Sequence, residues 1–472
     1  MSIKRYTASK DSSITNAYQS GLVTRGTGSN MGASDSLEVF SIYAQASTSS
    51  VELSRILVEF PISEVSSDRT ARTIPASGSV NFILKLTNAE HPLSLPKDYY
   101  LQVQAVSRSW DEGTGLDMEN YSDLGFVNWE SASSGQGWSV TGGDFHSSPV
   151  YNQYFSNGTE NLEVDITSLV EQWLTGSKTN YGIVVKLSSS LETDTRSYYT
   201  KKFFSRGSEF FFKRPYLEAR YDESVKDDRT SFYVSSALAP AEDNLNTLYL
   251  YNRHRGKLVN IPAVGTGSIF LSLYSGTVGP LGNALTLHTG QTAITGGYVS
   301  TGIYSASVAL NTTLDWVFDI WHNNGIVTYT TGSKIFILDP QEESNFDKTD
   351  YVVNVTNLKQ IYNSNEVGRF RLFVRPKDWN PTIYTVATGD IEFTSIEDGF
   401  YKIYRIIDNY EAVSYGTGST YHTRLSFDGL GNYFDLDMSL LEPNYTYGIK
   451  FTFFDSGQYY EQRETFKFRV EE

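Results

Sequence analysis

The chain has 472 residues, with 54 acidic and 38 basic side chains and a net charge of −16. Length alone predicts about three domains, because single hydrophobic cores stop growing at roughly 250–300 residues. An acidic surface repels phosphate backbones and anionic lipid, which argues against nucleic acid as a partner. Cysteine is absent, so disulfides and thiolate metal sites are excluded and synthesis in the cytoplasm is favoured.

The composition is typical of an all-β protein. Aromatic residues make up 14% of the chain, with 33 tyrosines and 27 phenylalanines, whereas charged residues make up only 19%. Tyrosine, phenylalanine and threonine fit a pleated, half-buried surface. The N-terminal sequence MSIKRYTASKDSS lacks the apolar core of a signal peptide, and no run approaches the roughly 20 apolar residues of a membrane span. We therefore expect no signal peptide and no membrane insertion.

Residues 1–224 form the first predicted unit. Short apolar or alternating runs recur through it, separated by segments rich in serine, glycine and asparagine, and this spacing predicts strands and turns. Residues 108–160 interrupt the pattern as a long, irregular excursion that contains Trp110, Trp129 and Trp138. A loop of that length usually packs on itself or carries contacts.

Residues 164–186 contain the single predicted helix. Four apolar residues share one face of a 3.6-residue period: Ile166, Leu169, Val170 and Trp173. Asp165 or Thr167 can cap the N-terminus, and Gly176 lies just past the end, where a left-handed residue stops a helix. A short amphipathic helix among strands is expected to close an open end of a β-sandwich, with Trp173 as its main buried side chain.

Two further units are predicted, at residues 229–349 and 350–472. Their size is that of immunoglobulin-like sandwiches. In the second unit, Asn324-Gly325 lies between two apolar runs and predicts a hairpin, because both residues can adopt the positive φ of a type I′ turn. In the third, residues 441–447 resemble the tyrosine corner of immunoglobulin and fibronectin type III folds, in which a phenolic hydroxyl bonds to nearby backbone.

The first unit resembles the DNRLRE-type domain, a β-sandwich also classed among carbohydrate-binding modules. Seven segments follow the family's order: YTASKDSSI (6–14), NMGASDSLEV (30–39), SRILVEFPI (54–62), FILKL (82–86), SWDEGT (109–114) with VNW (127–129), DITSLVEQWLTG (165–176) with NYGI (180–183), and FFSRGSE (203–209) with RPYLEARY (214–221). The resemblance implies a jelly-roll-like sandwich with one short helix.

Carboxylates crowd the excursion at Asp111, Glu112, Asp117, Glu119 and Asp123. Calcium takes several oxygen ligands, so Asp111, Glu112 and Asp117 are candidates for a calcium site, and Asp11 and Asp35 are weaker ones. Two carboxylates can also flank a glycosidic bond. The spacing matches no EF-hand loop, and solvated loop acids remain the alternative. No other cofactor is predicted.

Aromatic side chains offer a sugar platform, because aromatic faces stack on the C–H faces of pyranose rings. The candidates are Trp110, Trp129, Trp138, Tyr99, Tyr100, Tyr121, Tyr151 and Tyr154. Motif position favours a core role for Trp110 and Trp129. Trp138 is the predicted exposed glycan contact, since glycines and serines surround it.

Arg55 and Arg206 also match motif positions, and we interpret both as structural. A guanidinium beside Glu59 or Glu209 would form an ion pair that fixes strand order. The six histidines show no metal-ligand spacing and do not adjoin a nucleophilic serine in sequence. No residue set predicts covalent chemistry, so we expect no enzymatic activity.

Three acidic β-sandwiches in line resemble virion structural proteins of tailed bacteriophages. The resemblance implies synthesis in the host cytoplasm and a place in the neck, tail, baseplate or capsid surface. It also implies contacts with other virion proteins and with copies of the chain in a symmetric particle. An adhesin that recognises host glycans through the first unit is the alternative. A polysaccharide lyase or hydrolase ranks third, because no set of cleft residues supports it.

Overall fold

The computed structural model describes residues 2–90, 96–118, 123, 125–312, 314–325, 327–338, 349–380, 383 and 393–472. The chain divides into two compact units. The first comprises Met1–Asp222 with Gly418–His422, and the second comprises Glu223–Thr417 with Thr423–Glu472. Within the described ranges, no helix has both the length and the apolarity needed to span a bilayer.

The described part of the first unit is built mainly from strands. These are β1 (Ile3–Thr7), β2 (Lys10–Thr15), β3 (Ser36–Tyr43), β4 (Val51–Glu59), β5 (Asn81–Leu86), β6 (Tyr99–Val106), β7 (Ser131–Ser133), β8 (Gln136–Gly137), β9 (Phe145–Phe155), β10 (Leu162–Asp165), β11 (Ile183–Leu187), β12 (Tyr198–Phe204) and β13 (Tyr216–Arg220). Three short helices accompany them: α1 (Ile62–Thr70), α2 (Thr167–Leu174) and α3 (Ser189–Glu192).

Two antiparallel sheets form this unit, with a short β7–β8 hairpin beside them. One sheet has the order β1-β13-β5-β10, and the other has the order β12-β3-β4-β11-β6-β9, with β2 paired to β4. Buried residues of both sheets form one apolar core between them. The all-β sandwich predicted for this part of the chain is therefore confirmed.

Alternate residues of the central strands serve two different cores. On β11, Ile183 and Val185 face the core between the sheets, whereas Val184 belongs to a second apolar cluster. Because successive side chains of a strand point to opposite faces, this second cluster lies on the outer face of the larger sheet. Most of its remaining members come from β4 and from the excursion: Leu57, Trp110, Val127, Trp129, Ala132 and Trp138. The excursion thus forms a third layer.

Of the buried side chains that attach the excursion to the loop before β3, Asn30 makes the most hydrogen bonds, and Ser29 adds one to the carbonyl of Met118 at 2.7 Å. The amide nitrogen of Asn30 donates to the carbonyls of Glu112 and Val127, both at 2.7 Å. Its oxygen accepts the backbone N–H of Gly32 at 3.0 Å and of Gly115 at 2.9 Å. All four hydrogen-bonding positions of the amide are therefore occupied.

Helix α2 matches the sequence prediction. Its apolar face, Leu169, Val170 and Trp173, is buried in the core between the sheets. Asp165 accepts the N–H of Thr167, the first helical residue, at 2.9 Å. Gly176 follows the helix with a φ of +74°. Since β10 and β11 belong to different sheets, α2 crosses an end of the sandwich between them.

The prediction of a single helix is wrong, because the described part of the first unit alone contains three α-helices. Helix α1 buries only Ile62 and Val65 and contains several serines, so it is too short and too polar to show a clear period. Helix α3 is a single turn after Ser188, whose hydroxyl accepts the N–H of Leu191. Its only buried residue is Glu192, which an apolar periodicity cannot reveal.

The second unit, in its described part, also consists mainly of strands, with short 3-10 helices at Asp228–Thr230 and Met438–Leu440. The strands are β14 (Phe232–Tyr233), β15 (Asn246–Tyr251), β16 (Arg253–His254), β17 (Lys257–Leu258), β18 (Ile269–Tyr274), β19 (Ile294–Ser300), β20 (Ile303–Val308), β21 (Trp316–His322), β22 (Thr328–Leu338), β23 (Tyr351–Val355), β24 (Ile361–Asn363), β25 (Val367–Pro376), β26 (Gly399–Arg405), β27 (Glu411–Val413), β28 (Ser426–Asp428), β29 (Gly431–Asp437), β30 (Thr446–Asp455), β31 (Gln458–Glu461) and β32 (Phe466–Glu471).

Strands β14–β22 and β23–β32 form separate sheets. The order β14-β22-β21-β18-β19-β20-β15 describes the first, and a short β16–β17 hairpin accompanies it. The side chain of Asn246 bonds to the N–H and the carbonyl of Tyr233, so it links the two edge strands. The orders β23-β25-β29-β28 and β24-β32-β30-β26-β27 describe the other two sheets, with β31 beside β30. The predicted boundary between residues 349 and 350 stays a prediction.

Local predictions in this unit are confirmed at two places. Asn324 and Gly325 both adopt positive φ between β21 and β22. The hydroxyl of Tyr447 donates to the carbonyl of Glu442 at 2.8 Å, which is the hydrogen bond of a tyrosine corner. Residues 225–228, which lie between the first two predicted units, are hydrogen-bonded to β28, because the backbone N–H of Asp227 donates to the carbonyl of Phe427 at 3.1 Å.

Candidate functional site

One carboxylate of the excursion, Glu112, is paired with an arginine. Glu112 accepts two bonds from the guanidinium of Arg206, at 3.2 and 2.6 Å, and one from the backbone N–H of Asp11 at 2.7 Å. Asp11 in turn accepts the backbone N–H of Arg206, while its other oxygen is buried without a hydrogen-bond partner. Burial raises the pKa of Asp11 to about 7, partly offset by that hydrogen bond. This cluster joins β2 to the excursion.

The other calcium candidates do not converge on this cluster. Asp111, Asp117 and Asp35 are exposed, and Glu119 lies outside the described residues. Among the residues that the structure describes, no group of three acidic, histidine or cysteine side chains is placed to hold a metal ion. The positive charge nearest Glu112 is the Arg206 guanidinium.

The predicted exposure of Trp138 is wrong. Its indole is only 7% exposed, packs in the outer core cluster, and donates to the carbonyl of Asn128 at 2.9 Å. Trp110 and Trp129 are buried in the same cluster, as their motif positions predicted. Tyr121 lies outside the described residues. The tryptophans of the excursion therefore form a core and not a sugar platform.

Two other platform candidates remain on the surface. Tyr100 on β6 and Tyr154 on β9 are 50% and 46% exposed, and their ring centroids lie 5.0 Å apart. The Tyr154 hydroxyl donates to Asp98 at 2.6 Å. Beside the rings, Gln102 donates to Asn152 at 3.0 Å. This tyrosine pair presents aromatic faces flanked by amide and carboxylate groups.

Arg55 is structural, but the predicted partner is wrong. Its guanidinium forms a bidentate pair with Glu192, at 2.8 and 2.7 Å, and donates to the carbonyl of Gly142 at 2.8 Å. The same group lies 5.0 Å from the ring centre of Trp129. Gly142 has a φ of +89°, and a Cβ there would approach the guanidinium to 2.7 Å. Arg55 thus joins α3 to the excursion, and Arg206 pairs with Glu112 instead of Glu209.

A serine–histidine pair in the second unit was not visible in the sequence. Ser272 and His322 are both buried, and their Oγ and Nε2 atoms lie 2.9 Å apart. The N–H of Gly325 donates to Nδ1, so Nε2 carries the hydrogen and donates to Ser272, which donates to the carbonyl of Thr292. A general base needs an unprotonated nitrogen facing the hydroxyl. The pair therefore joins strands β18 and β21 and is not arranged as a nucleophile with its base.

The most exposed aromatic group of the first unit follows β12. We call residues 209–214 the phenylalanine loop. Phe210 and Phe211 are 45% and 57% exposed. Lys213 lies 4.7 Å from the ring centre of Phe210, and Arg214 lies 5.5 Å from that of Phe211. Arg214 also donates to the carbonyl of Ser208 at 2.8 Å, so the loop is held in place. Three consecutive phenylalanines with no alternation were a signal for it in the sequence.

Neither the family models nor the curated proteins compared with the chain give a match. Several solved structures show weak similarity, including the following three. The adhesin InvE of Yersinia pseudotuberculosis is 14% identical over 48% of this chain and 54% of that chain, with a TM-score of 0.16. The FN1–FN3 domains of chicken CNTN1 are 10% identical over 58% of this chain and 82% of that chain, with a TM-score of 0.15. Native E. coli alpha-2-macroglobulin is 8% identical over 88% of this chain and 21% of that chain, with a TM-score of 0.16. The chain spans about half the length of the adhesin. At these TM-scores the similarities carry no argument about function.

Proposed function

We propose that the chain is a non-enzymatic structural component of a tailed-bacteriophage virion that acts through protein–protein contacts. The observation that carries the protein–protein contact is the phenylalanine loop, whereas the virion assignment rests on the resemblance of the sequence. The two exposed rings of the loop are ordered by backbone hydrogen bonds and neighbouring cations. Aromatic and arginine side chains held in place before binding are the usual anchors of protein interfaces. No carboxylate of the described residues lies within ion-pair distance of Lys213, so its charge is available to an acidic neighbour.

The proposal places docking in the first unit, with the remainder of the chain projecting or bridging. Cross-linking of intact particles followed by mass spectrometry tests this arrangement. We expect the chain to be present in purified particles and Lys213 to be linked to a neighbouring virion protein. Absence of the chain from particles contradicts the virion assignment. Links confined to residues 350–472 would mean that the C-terminal part of the chain docks on the particle and the first unit projects.

A variant test isolates the loop. Phe210→Ser combined with Phe211→Ser is expected to lower incorporation of the chain into particles, because the exposed anchors are lost. Leu238→Ser is the control, since Leu238 is a fully exposed apolar residue outside the phenylalanine loop. Equal incorporation of the two variants would show that the loop makes no contact in the particle.

The tyrosine pair favours a second candidate, a carbohydrate-binding adhesin that contacts host glycans through the first unit. Tyr100 and Tyr154 provide stacking faces, and Gln102 and Asn152 provide hydrogen-bonding groups beside them. A glycan array probed with the whole chain and with Tyr154→Ala tests this. Tyr199→Ala is the matched control, because Tyr199 is an exposed tyrosine on the opposite edge strand, β12. Loss of glycan binding in Tyr154→Ala but not in Tyr199→Ala would support the adhesin. No binding of the whole chain to any glycan on the array would contradict it for those glycans.

A further inference from the structure

The edge strands of the first unit differ in how they are protected against pairing with another chain. Natural sheets guard their edges with charged side chains, above all lysine. Strand β1 carries Lys4 and Arg5, β12 carries Lys201 and Lys202, and β10 carries Glu163 and Asp165. Strand β9, with the sequence FHSSPVYNQYF, carries no lysine, arginine or carboxylate and is the longest of the four at 11 residues.

One segment of β9 is suited to accept a further strand. Val150 to Phe155 pair in regular antiparallel register with β6, and the structure describes no strand on their other side. The alternating side chains Val150, Asn152 and Tyr154 are exposed on the outer face. Pro149 has no N–H to donate, so regular pairing on the free side begins at Val150. The free edge offers a row of backbone donors and acceptors with which an extended chain can pair.

We propose that this edge pairs with β9 of a second copy of the chain, antiparallel, about a two-fold axis at Asn152. The charge of the molecule favours this strand over the other edges, because β9 itself adds no like charges to a contact between two chains of net charge −16. The register places Asn152 opposite Asn152 and Val150 opposite Tyr154. A β-branched residue facing an aromatic residue is a stabilising cross-strand pair, and paired amides can exchange hydrogen bonds.

The pairing joins two copies of the larger sheet into one continuous sheet. An interface that uses the same strand twice is self-complementary, as closed two-fold dimers require. The inference goes beyond the proposed function, because it concerns the isolated chain. A monomeric chain can still be a virion component, and a dimeric one can still lack that role.

The absence of cysteine makes the register directly testable. A single Asn152→Cys places two thiols opposite each other at the axis, within reach of a disulfide. We expect mild oxidation to convert Asn152→Cys into a covalent dimer. Val150→Cys and Tyr154→Cys are expected to stay monomeric alone and to cross-link when the two proteins are mixed. Dimer formation by Val150→Cys alone, or none by Asn152→Cys, would overturn the register.

Sedimentation of the unmodified chain tests the interface itself. We expect a reversible monomer–dimer equilibrium between micromolar and submillimolar concentration. Asn152→Lys is expected to weaken dimerisation about tenfold or more, because like charges then face each other across the axis. Tyr199→Lys, which adds the same charge to β12, is expected to dimerise as the unmodified chain does. A chain that stays monomeric throughout, or equal dimerisation of the two variants, contradicts the proposal.

Discussion

Asp11 is a carboxyl group whose charge is poorly accommodated by its surroundings. It is almost fully buried, one oxygen has no hydrogen-bond partner, and Glu112 lies close enough to disfavour a second negative charge. Burial therefore raises the pKa of this group from an ordinary value near 3.8 to about 7. The folded state holds the proton more tightly than the unfolded state does, so the contribution of Asp11 to stability falls as pH rises between these two values.

Replacing Asp11 by asparagine is expected to flatten this pH dependence. The neutral amide can still accept the N–H of Arg206 but cannot ionise. At about 1.4 kcal/mol per pKa unit, the free energy of unfolding of the natural chain should fall by up to about 4 kcal/mol relative to Asp11→Asn between pH 4 and 8. Urea unfolding across this range measures the difference. Asp35→Asn, at an exposed acid, is the control, and parallel curves for Asp11→Asn and the natural chain would contradict the assignment.

Trp138 supplies a second prediction at the level of single residues. Removal of a buried indole costs about 3–5 kcal/mol, and Trp138→Ala also leaves the carbonyl of Asn128 without its donor. We expect a loss of stability of this size in chemical unfolding. Val140→Ala, at an exposed apolar position in the same segment, should have little effect. A Trp138→Ala protein of unchanged stability would show that the indole lies in solvent.

At the scale of elements, Asn30 is the main hydrogen-bonding link between the excursion and the loop before β3. Asn30→Ala leaves four backbone groups of two loops without partners, two carbonyls and two N–H groups. Since an unsatisfied buried polar group costs roughly 1–3 kcal/mol, we expect a loss of about 3 kcal/mol or more. Hydrogen exchange should accelerate at Gly32 and Gly115 before it accelerates in β5 or β13. Asn157→Ala, at an exposed asparagine, is the control. Uniform acceleration across the unit would mean that the excursion does not open separately.

Elements with a clear period could be predicted from the sequence, and elements without one could not. The face of α2 and the Asn324-Gly325 turn follow from spacing and φ preference alone, and both are present. The prediction that Trp138 is exposed is wrong because the glycines and serines around it indicate a loop but do not indicate which side of the loop faces the protein. Helix α1, with two buried residues, is too short to show a period.

Partners distant in the sequence were equally beyond prediction. Arg55 pairs with Glu192 across 137 positions, and Arg206 pairs with Glu112 across 94. Motif order identified both arginines as structural candidates, but only the packing of the excursion and α3 on the outer face determines which carboxylates they meet. The Ser272–His322 pair depends on strand neighbours in the same way. The free edge of β9 is a property of sheet order, which hydrophobic pattern does not specify.

At the scale of the whole molecule, the carboxyl groups divide into two classes with opposite pH responses. Burial raises the pKa of Asp227 to about 7 and of Asp228 to about 6, as it does for Asp11. In contrast, burial is outweighed at Glu218, where Lys85, Arg5 and Arg220 hold the pKa far below its ordinary value. Hydrogen bonds from backbone N–H groups likewise outweigh burial at Glu160 and lower its pKa to about 2.

These two classes predict a stability maximum on the acidic side of neutrality. Stability from the lowered carboxyls is present above their unfolded pKa and is lost as pH falls below about 4.5, whereas the raised carboxyls reduce stability as pH rises from about 4 to 7. Repulsion within a chain of net charge −16 acts in the same direction as the second effect. Burial lowers the pKa of His422 to about 4, which adds stability as pH rises, but this one imidazole is outweighed by the three raised carboxyls. The urea midpoint should therefore peak at about pH 5. Asp11→Asn combined with Asp227→Asn should flatten the decline of the urea midpoint above the peak. The loss of stability below about pH 4.5 should stay unchanged, because Glu160 and Glu218 are not substituted. A midpoint that keeps rising to pH 8 would show that the carboxyls with lowered pKa dominate.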